Sequence, residues 1–303
     1  MKIRIGLWPR TFDPDSLNWM HQASPLSQFA FWNTGGRTVF VKRSARRPTG
    51  WALLEEAPAV PNLPRILKTL KDGTHYYYFS EMLDGDTFWN VLAKNQVETF
   101  FGQQGLSPAA RLGVFAAVYE TIRALHKRGF WYPDLDFRNV FLARHSGVPR
   151  TWLIDVDSCA KLGEPYYPET VSQTYWEGLA KTYKKLGIPF LKRDNRNLPV
   201  LAPEGTHLNQ SMLVLFAYDM QRVGLVTPNR SLFDPLVHEK NPHREKVVEI
   251  HDKLAGGRDA WEDIDRLAAA WFDVPLNEFK DLARKHSTGT AALRARLRRL
   301  LPG

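Results

Sequence analysis

Three polar residues, Asp134, Asn139 and Asp155, interrupt the otherwise apolar stretch GFWYPDLDFRNVFLARHSGVPRTWLIDVDSC at residues 129–159. A carboxylate left alone in such surroundings is costly, so these groups must be paired, face a solvated cleft or hold a cation. Two carboxylates and an amide oxygen are hard donors that suit Mg²⁺, which takes few protein ligands and completes its shell with water and phosphate oxygens. One carboxylate would then be left to orient and deprotonate a nucleophile. Any one of the three alone would more simply be a turn-former at a strand end; their joint spacing points to a site.

The elements that must position them are legible nearby. VFLARHSGVPRTWLID predicts two short strands around a turn at HSGVPR. Asp134 and Asn139 fall on the loop before the first strand and Asp155 at the end of the second, so antiparallel pairing brings all three together. Upstream, residues 29–42 (FAFWNTGGRTVFVK) predict a hairpin whose turn residues, Asn33 to Gly36, tolerate positive φ. GWALLEEA at 50–57 predicts a helix of two turns at most, stopped by Pro58 and Pro61. YYYFSEML at 76–83 predicts another strand, and LDGD at 83–86 the link that leaves it. A long helix is predicted over 107–128, capped by Ser107, with Pro108 at its first position and Gly129 at its end. Further helical patterns recur at about 170–186, 208–223, 243–255 and 259–271. The strand-rich start gives way to helix near 84–86, which divides the chain into 1–83 and 84–303.

Composition bounds the partners. With 303 residues, 44% hydrophobic and 12% aromatic, the chain can build a substantial core. The single cysteine, Cys159, excludes an intrachain disulfide framework or a multi-cysteine zinc site and fits a reducing compartment. The start shows no secretory pattern, and the longest apolar run, MLVLFAY at 212–218, falls far short of the ~20 residues that span a bilayer. A cytoplasmic protein is expected. The net charge of +9 favours anionic partners. In the final ALRARLRRLLPG, Leu293, Leu297 and Leu300 recur at helical spacing among arginines. That predicts a docked helix with a basic face, which could also touch the anionic inner face of a membrane. Ten tryptophans and the basic charge raise nucleic acid as a partner, but no stacking or helix-turn-helix signature supports it.

HKRGFWYPDLDFRNVFL followed by WLIDVDS resembles the catalytic and metal loops of the protein-kinase-like superfamily. Its pattern is His-x-Asp, four residues, Asn, and later an Asp opening a metal-binding turn. The wording DLxxxN and LIDxD is similar to bacterial members, the atypical eukaryotic-like protein kinases and the lipopolysaccharide core sugar kinases. The resemblance implies an α+β fold of two lobes, a small antiparallel β-sheet lobe over a larger, mainly helical one. It implies ATP and Mg²⁺ as cofactors, Asp134 as the catalytic base, and Asn139 and Asp155 as metal ligands. Lys42, ending TVFVK, would hold the nucleotide's phosphates. A helix glutamate, Glu55 or Glu56 with Glu55 preferred, would pair with that lysine, and Glu81, Met82 and Leu83 would form the hinge that reads the adenine edge. Ala202-Pro203-Glu204 and the later Asp219 to Gly224 also match in order, although YYPE at 166–169 and QTYWEG at 173–178 are rival ends for the activation segment. The implied activity is γ-phosphoryl transfer to a hydroxyl, on a protein first, on a core glycolipid as the alternative, with a non-catalytic scaffold as a third outcome.

The chain departs from that pattern in four places. Tyr132 stands where the family has its histidine, and Asp136 where protein-serine kinases commonly carry a charge-neutralising lysine. DVDS replaces Asp-Phe-Gly, and QASPLSQF at 22–29 supplies no glycine for a phosphate-cradling loop.

Overall fold

The computed structural model describes residues 2–5, 8–21, 27–56, 59–102, 105–144, 149–162, 184, 205–223 and 241–286. Outside them lie most of the helix expected at 170–186, the Ala202-Pro203-Glu204 segment and its two rivals, most of QASPLSQF, most of the HSGVPR turn, Gly224 and the Arg-rich end.

The fold is α+β. Its centre is a five-stranded antiparallel sheet of β3 (Met20–His21), β4 (Ser27–Asn33), β5 (Thr38–Ser44), β6 (Ile66–Lys71) and β7 (Tyr76–Glu81), in the order β3-β4-β5-β7-β6. A separate hairpin, β1 (Lys2–Ile5) with β2 (Trp8–Thr11), precedes it. Period-two alternation sorts the two faces. Val39, Val41, Tyr77 and Phe79 point to one face and pack on Phe12 and Trp32 in a small aromatic cluster. Phe40 and Lys42 of β5, with Tyr78 of β7, therefore point to the other face, toward the rest of the chain.

That second face meets α1 (Trp51–Glu56), the short helix expected at 50–57. Its Trp51, Leu53 and Leu54 are buried in the large core. After Glu81 the chain leaves the sheet and enters a second one, in which β8 (Gly85–Thr87) pairs with β10 (Val140–Ala143) and β10 with β11 (Arg150–Leu153). The expected link at 83–86 is thus partly a strand. Gly85 is required there because a Cβ would sit 2.0 Å from the Leu142 carbonyl oxygen.

The rest is mainly helical. α2 (Phe88–Ala93) and α3 (Val97–Phe101) lead to α4 (Pro108–His126). The Ser107 hydroxyl caps α4 by accepting from the Ala110 N–H at 3.2 Å, and Gly129 leaves its end at φ 77°. β9 (Phe130–Trp131) pairs with β12 (Ala160–Lys161), closing the ends of the loop region against each other. α5 (Gly205–Arg222) packs on α4, α6 (Arg244–Ala255) and α7 (Trp261–Trp271) pack on α5 and on each other, and Trp261 and Phe279 reach Tyr119 of α4. One hydrophobic cluster runs from Trp51 and Tyr78 through α4 to Phe279, so α1 shares a core with the helices. Among the described residues no helix is long and apolar enough to cross a membrane.

A candidate active site beneath the central sheet

Asp134 and Asn139 lie on the turn-rich segment between β9 and β10, and Asp155 lies one residue beyond the end of β11, after Ile154. The register Val140 to Leu153 and Ala143 to Arg150 folds these two segments together. The Asn139 side-chain N–H₂ donates to the Asp134 carboxylate (Oδ2) and to its backbone oxygen, each at 2.8 Å. The Ile154 N–H donates to the Asn139 carbonyl at 2.9 Å, tying the segment that carries Asp155 to the loop that carries Asp134. The three expected site residues are brought together.

Tyr132, one of the departures, supplies a second tie. It is fully buried, and its hydroxyl donates to the Ile154 carbonyl. The backbone of Tyr132 is gripped in turn by Asn209 of α5, whose side chain accepts from the Tyr132 N–H at 2.7 Å and donates to its carbonyl at 2.6 Å. Within α5 it is therefore Asn209 that holds this loop, on the same helix as the expected Asp219. Nothing in the sequence pattern singled out Asn209. A buried backbone N–H and C=O in a non-helical loop do require such a partner.

Lys42 reaches this site from above. It is 3% exposed, and its ammonium pairs with Asp155 and, at 2.9 Å, with Asp157. Burial alone would lower the lysine's pKa, but the two carboxylates more than offset that and hold it well above the ordinary value. The expectation of a Lys42–Glu55 pair is corrected. Glu55 and Glu56 are both exposed at the end of α1, because the buried side of so short a helix is taken by Trp51, Leu53 and Leu54. The partner missed by the sequence reading is Asp157. Its signal was the Asp-x-Asp spacing of DVDS, which a 3-10 turn at Val156–Ser158 converts into two carboxylates on one ammonium.

Asp155 itself sits in the left-handed region, at φ 60°. Asp134 is half-buried, and burial, followed by the nearby Asp155 charge, pushes its carboxyl up to about 7. Burial pushes the Asp157 carboxyl up, with Lys42 opposing and Asp155 reinforcing. Asp136 makes a two-pronged pair with Arg138 at 2.9 and 3.2 Å, and the Arg138 side chain is 60% exposed.

A cavity of about 480 Å³ opens beside these groups. Phe29, Phe31 and Phe40 line one wall; Phe29 and Phe40 stack with ring centroids 5.8 Å apart. Glu81, Met82 and Leu83, the expected hinge, line its edge, and Asn139 and Asp155 lie on its polar side. The Glu81 side chain accepts from the Arg65 N–H at 2.8 Å and the Glu81 N–H donates back to Arg65 at 3.0 Å, so this residue is fixed in place. Met82 is 45% exposed. Among the described residues, Arg138 is the one cationic side chain lining the cavity.

For a divalent cation the donor set is partly present. With its amide N–H₂ turned to Asp134, Asn139 keeps an oxygen for a ligand role, and Asp155 is partly exposed at the cavity wall. Among the described residues no group of three or more His, Cys, Asp or Glu could hold a metal. A hard cation would therefore depend on ligand oxygens as well as on Asp155 and Asn139, which is how Mg²⁺ is usually held. No family model matches the sequence, and no curated protein matches it.

Proposed function

We propose that the chain is an ATP- and Mg²⁺-dependent phosphotransferase with a two-lobed, protein-kinase-like fold, moving the γ-phosphoryl group to a hydroxyl acceptor. One observation carries this reading: an unbroken train of contacts from Lys42 through Asp155, Ile154 and Asn139 to Asp134, whose middle members Asp155, Ile154 and Asn139 line a cavity together with Phe29, Phe31 and Phe40. Such a cavity suits an amphipathic ligand, with a planar ring against the phenylalanines and an anionic end toward Arg138. Lys42 also lies on the third strand, in chain order, of the five-stranded sheet, where protein kinases carry their phosphate lysine. The strand-rich part to residue 83 and the helical part from 84 would be the two lobes, with the cavity where they meet.

In this mechanism Asp134 accepts the proton of the acceptor hydroxyl while the hydroxyl oxygen bonds to the γ-phosphorus. The bond from the γ-phosphorus to the β–γ bridging oxygen breaks, and ADP leaves with its electron pair. A carboxyl raised to about 7 is a competent base near neutral pH. Lys42 would carry the charge of the α- and β-phosphates, and Asp155 and Asn139 would hold Mg²⁺, which neutralises phosphate charge when bound. Arg138, pinned by Asp136, supplies positive charge at the cavity close to where the family's lysine would stand. Most of the rate would come from positioning and charge stabilisation.

A protein hydroxyl is the first acceptor to test and a core glycolipid the second. A scaffold role is the alternative that the engagement of both DVDS carboxylates by Lys42 favours, since phosphate binding must draw Lys42 partly away from Asp155. Calorimetric titration with MgATP, followed by γ-labelled phosphate transfer to protein and to glycolipid fractions, separates these readings. Binding with transfer supports the enzyme, binding without transfer the scaffold, and no binding removes both.

A further inference from the structure

We propose that Asp157 is the positioning residue for Lys42, performing the task that the resemblance assigns to a helix glutamate; this rests on the phosphotransferase reading. A lysine that is 3% exposed needs a counter-charge that stays with it. Asp155 cannot be that group throughout a catalytic cycle, because it lies on the cavity wall, its side chain is 26% exposed, and it is the carboxylate available to a cation. The Asp157 side chain is 10% exposed, does not line the cavity, and lies 2.9 Å from the ammonium. The Tyr78 hydroxyl donates to the same carboxylate oxygen at 3.2 Å, from the strand that pairs with Lys42's own.

The backbone of Asp157 is equally constrained. The Gly50 N–H donates to its carbonyl at 2.9 Å, and the Thr49 hydroxyl lies 3.4 Å from that oxygen and 3.2 Å from the Ser158 carbonyl. Gly50 approaches so closely that a Cβ there would lie 2.4 Å from the Val156 carbonyl oxygen. The two residues that lead into α1 thus press on the 3-10 turn that carries Asp157. In this chain the short helix sets the lysine through backbone contact with that turn, and its glutamates are left in solvent. The arrangement explains how Lys42 keeps its place when Asp155 turns to a ligand.

The test uses the full chain and two readouts. The first is the acetylation rate of Lys42 by an amine-reactive reagent, followed by peptide mass spectrometry without nucleotide. Asp155→Asn is expected to leave Lys42 protected, whereas Asp157→Asn raises its labelling ~10-fold or more and Asp157→Glu restores protection. Equal labelling in the two asparagine variants, or no rise in Asp157→Asn, overturns the proposal. The second readout is the Kd for ATP at saturating Mg²⁺ together with the Mg²⁺ midpoint. Asp157→Asn is expected to weaken ATP ~10-fold with the Mg²⁺ midpoint unchanged. A shifted Mg²⁺ midpoint with unchanged ATP affinity would instead make Asp157 a metal ligand and overturn the positioning role. Should Asp157→Asn fail to fold, Tyr78→Phe removes one bond to Asp157 and keeps every charge. It is expected to raise Lys42 labelling several-fold, and unchanged labelling counts against the proposal. If the wild type binds no MgATP yet Lys42 labels as expected, the phosphotransferase reading falls and the pairing stands; MgATP binding with labelling insensitive to Asp157 gives the converse.

Discussion

Replacing Asp134 with asparagine should change stability in a pH-dependent way that follows from its surroundings. Its carboxyl is raised from 3.8 to about 7 by burial and by Asp155. Between those values the folded protein holds the proton and the unfolded chain releases it. The contribution of Asp134 to stability is therefore full below about pH 4 and is lost as pH rises toward about 7. At 1.36 kcal/mol per pH unit the whole shift amounts to ~4 kcal/mol, and solvent on the open side of this half-buried group trims it to ~2–3 kcal/mol. Asparagine cannot ionise, so Asp134→Asn should gain that amount relative to wild type between pH 4.5 and pH 8. Urea unfolding of both proteins in chelator, at both pH values, measures the double difference. Asp157, also raised, titrates in both proteins and largely cancels. Wild-type and variant stabilities that run parallel across this range would refute the claim that the fold forces Asp134 to hold its proton.

Gly50→Ala should cost ~1–3 kcal/mol, because the added methyl meets the Val156 and Asp157 backbone. It should also weaken MgATP binding by moving the turn under Lys42, and an unchanged urea midpoint would show that the contact is loose. Tyr132→Phe leaves the Ile154 carbonyl without its buried donor and should cost ~1–3 kcal/mol together with a fall in turnover. Unaltered stability and kinetics would mean that this tie between the loops is idle. Arg138→Ala should lower turnover by ~10-fold or more and also cost ~1–3 kcal/mol of stability, since it takes the guanidinium partner from the buried Asp136 carboxylate. Turnover equal to wild type would remove Arg138 from the phosphate end of the cavity.

The elements nearest the site were the most legible in the sequence. Alternation and turn chemistry foretold β4, β5, β7 and the β10–β11 hairpin, and Ser107, Pro108 and Gly129 marked α4. β6 escaped because ILKTLK mixes lysines with apolar residues and its pairing with β7 shifts register between Ile66 and Lys68. β8 escaped because three residues rich in Gly and Asp look like a turn, and only pairing with β10 makes them a strand. Asp134, Asn139 and Asp155 could be found because their spacing is local to one hairpin. The partner of Lys42 could not, since it lies 115 positions away and is set by packing that sequence spacing does not encode. Glu55 looked suitable by type, but which side of a helix under two turns faces the core is decided by Trp51 and its neighbours. The grip of Asn209 on Tyr132 is a tertiary contact of the same kind, 77 residues apart.

The most direct test of the central claim is transfer of γ-labelled phosphate from MgATP by the full chain, wild type against Asp134→Asn, with folding checked by circular dichroism. A phosphotransferase using this site should label an acceptor, and the variant should stay folded, bind MgATP and lose ~10²–10⁴-fold in rate. Transfer at the wild-type rate by Asp134→Asn, or a wild-type protein that does not bind MgATP, would contradict it.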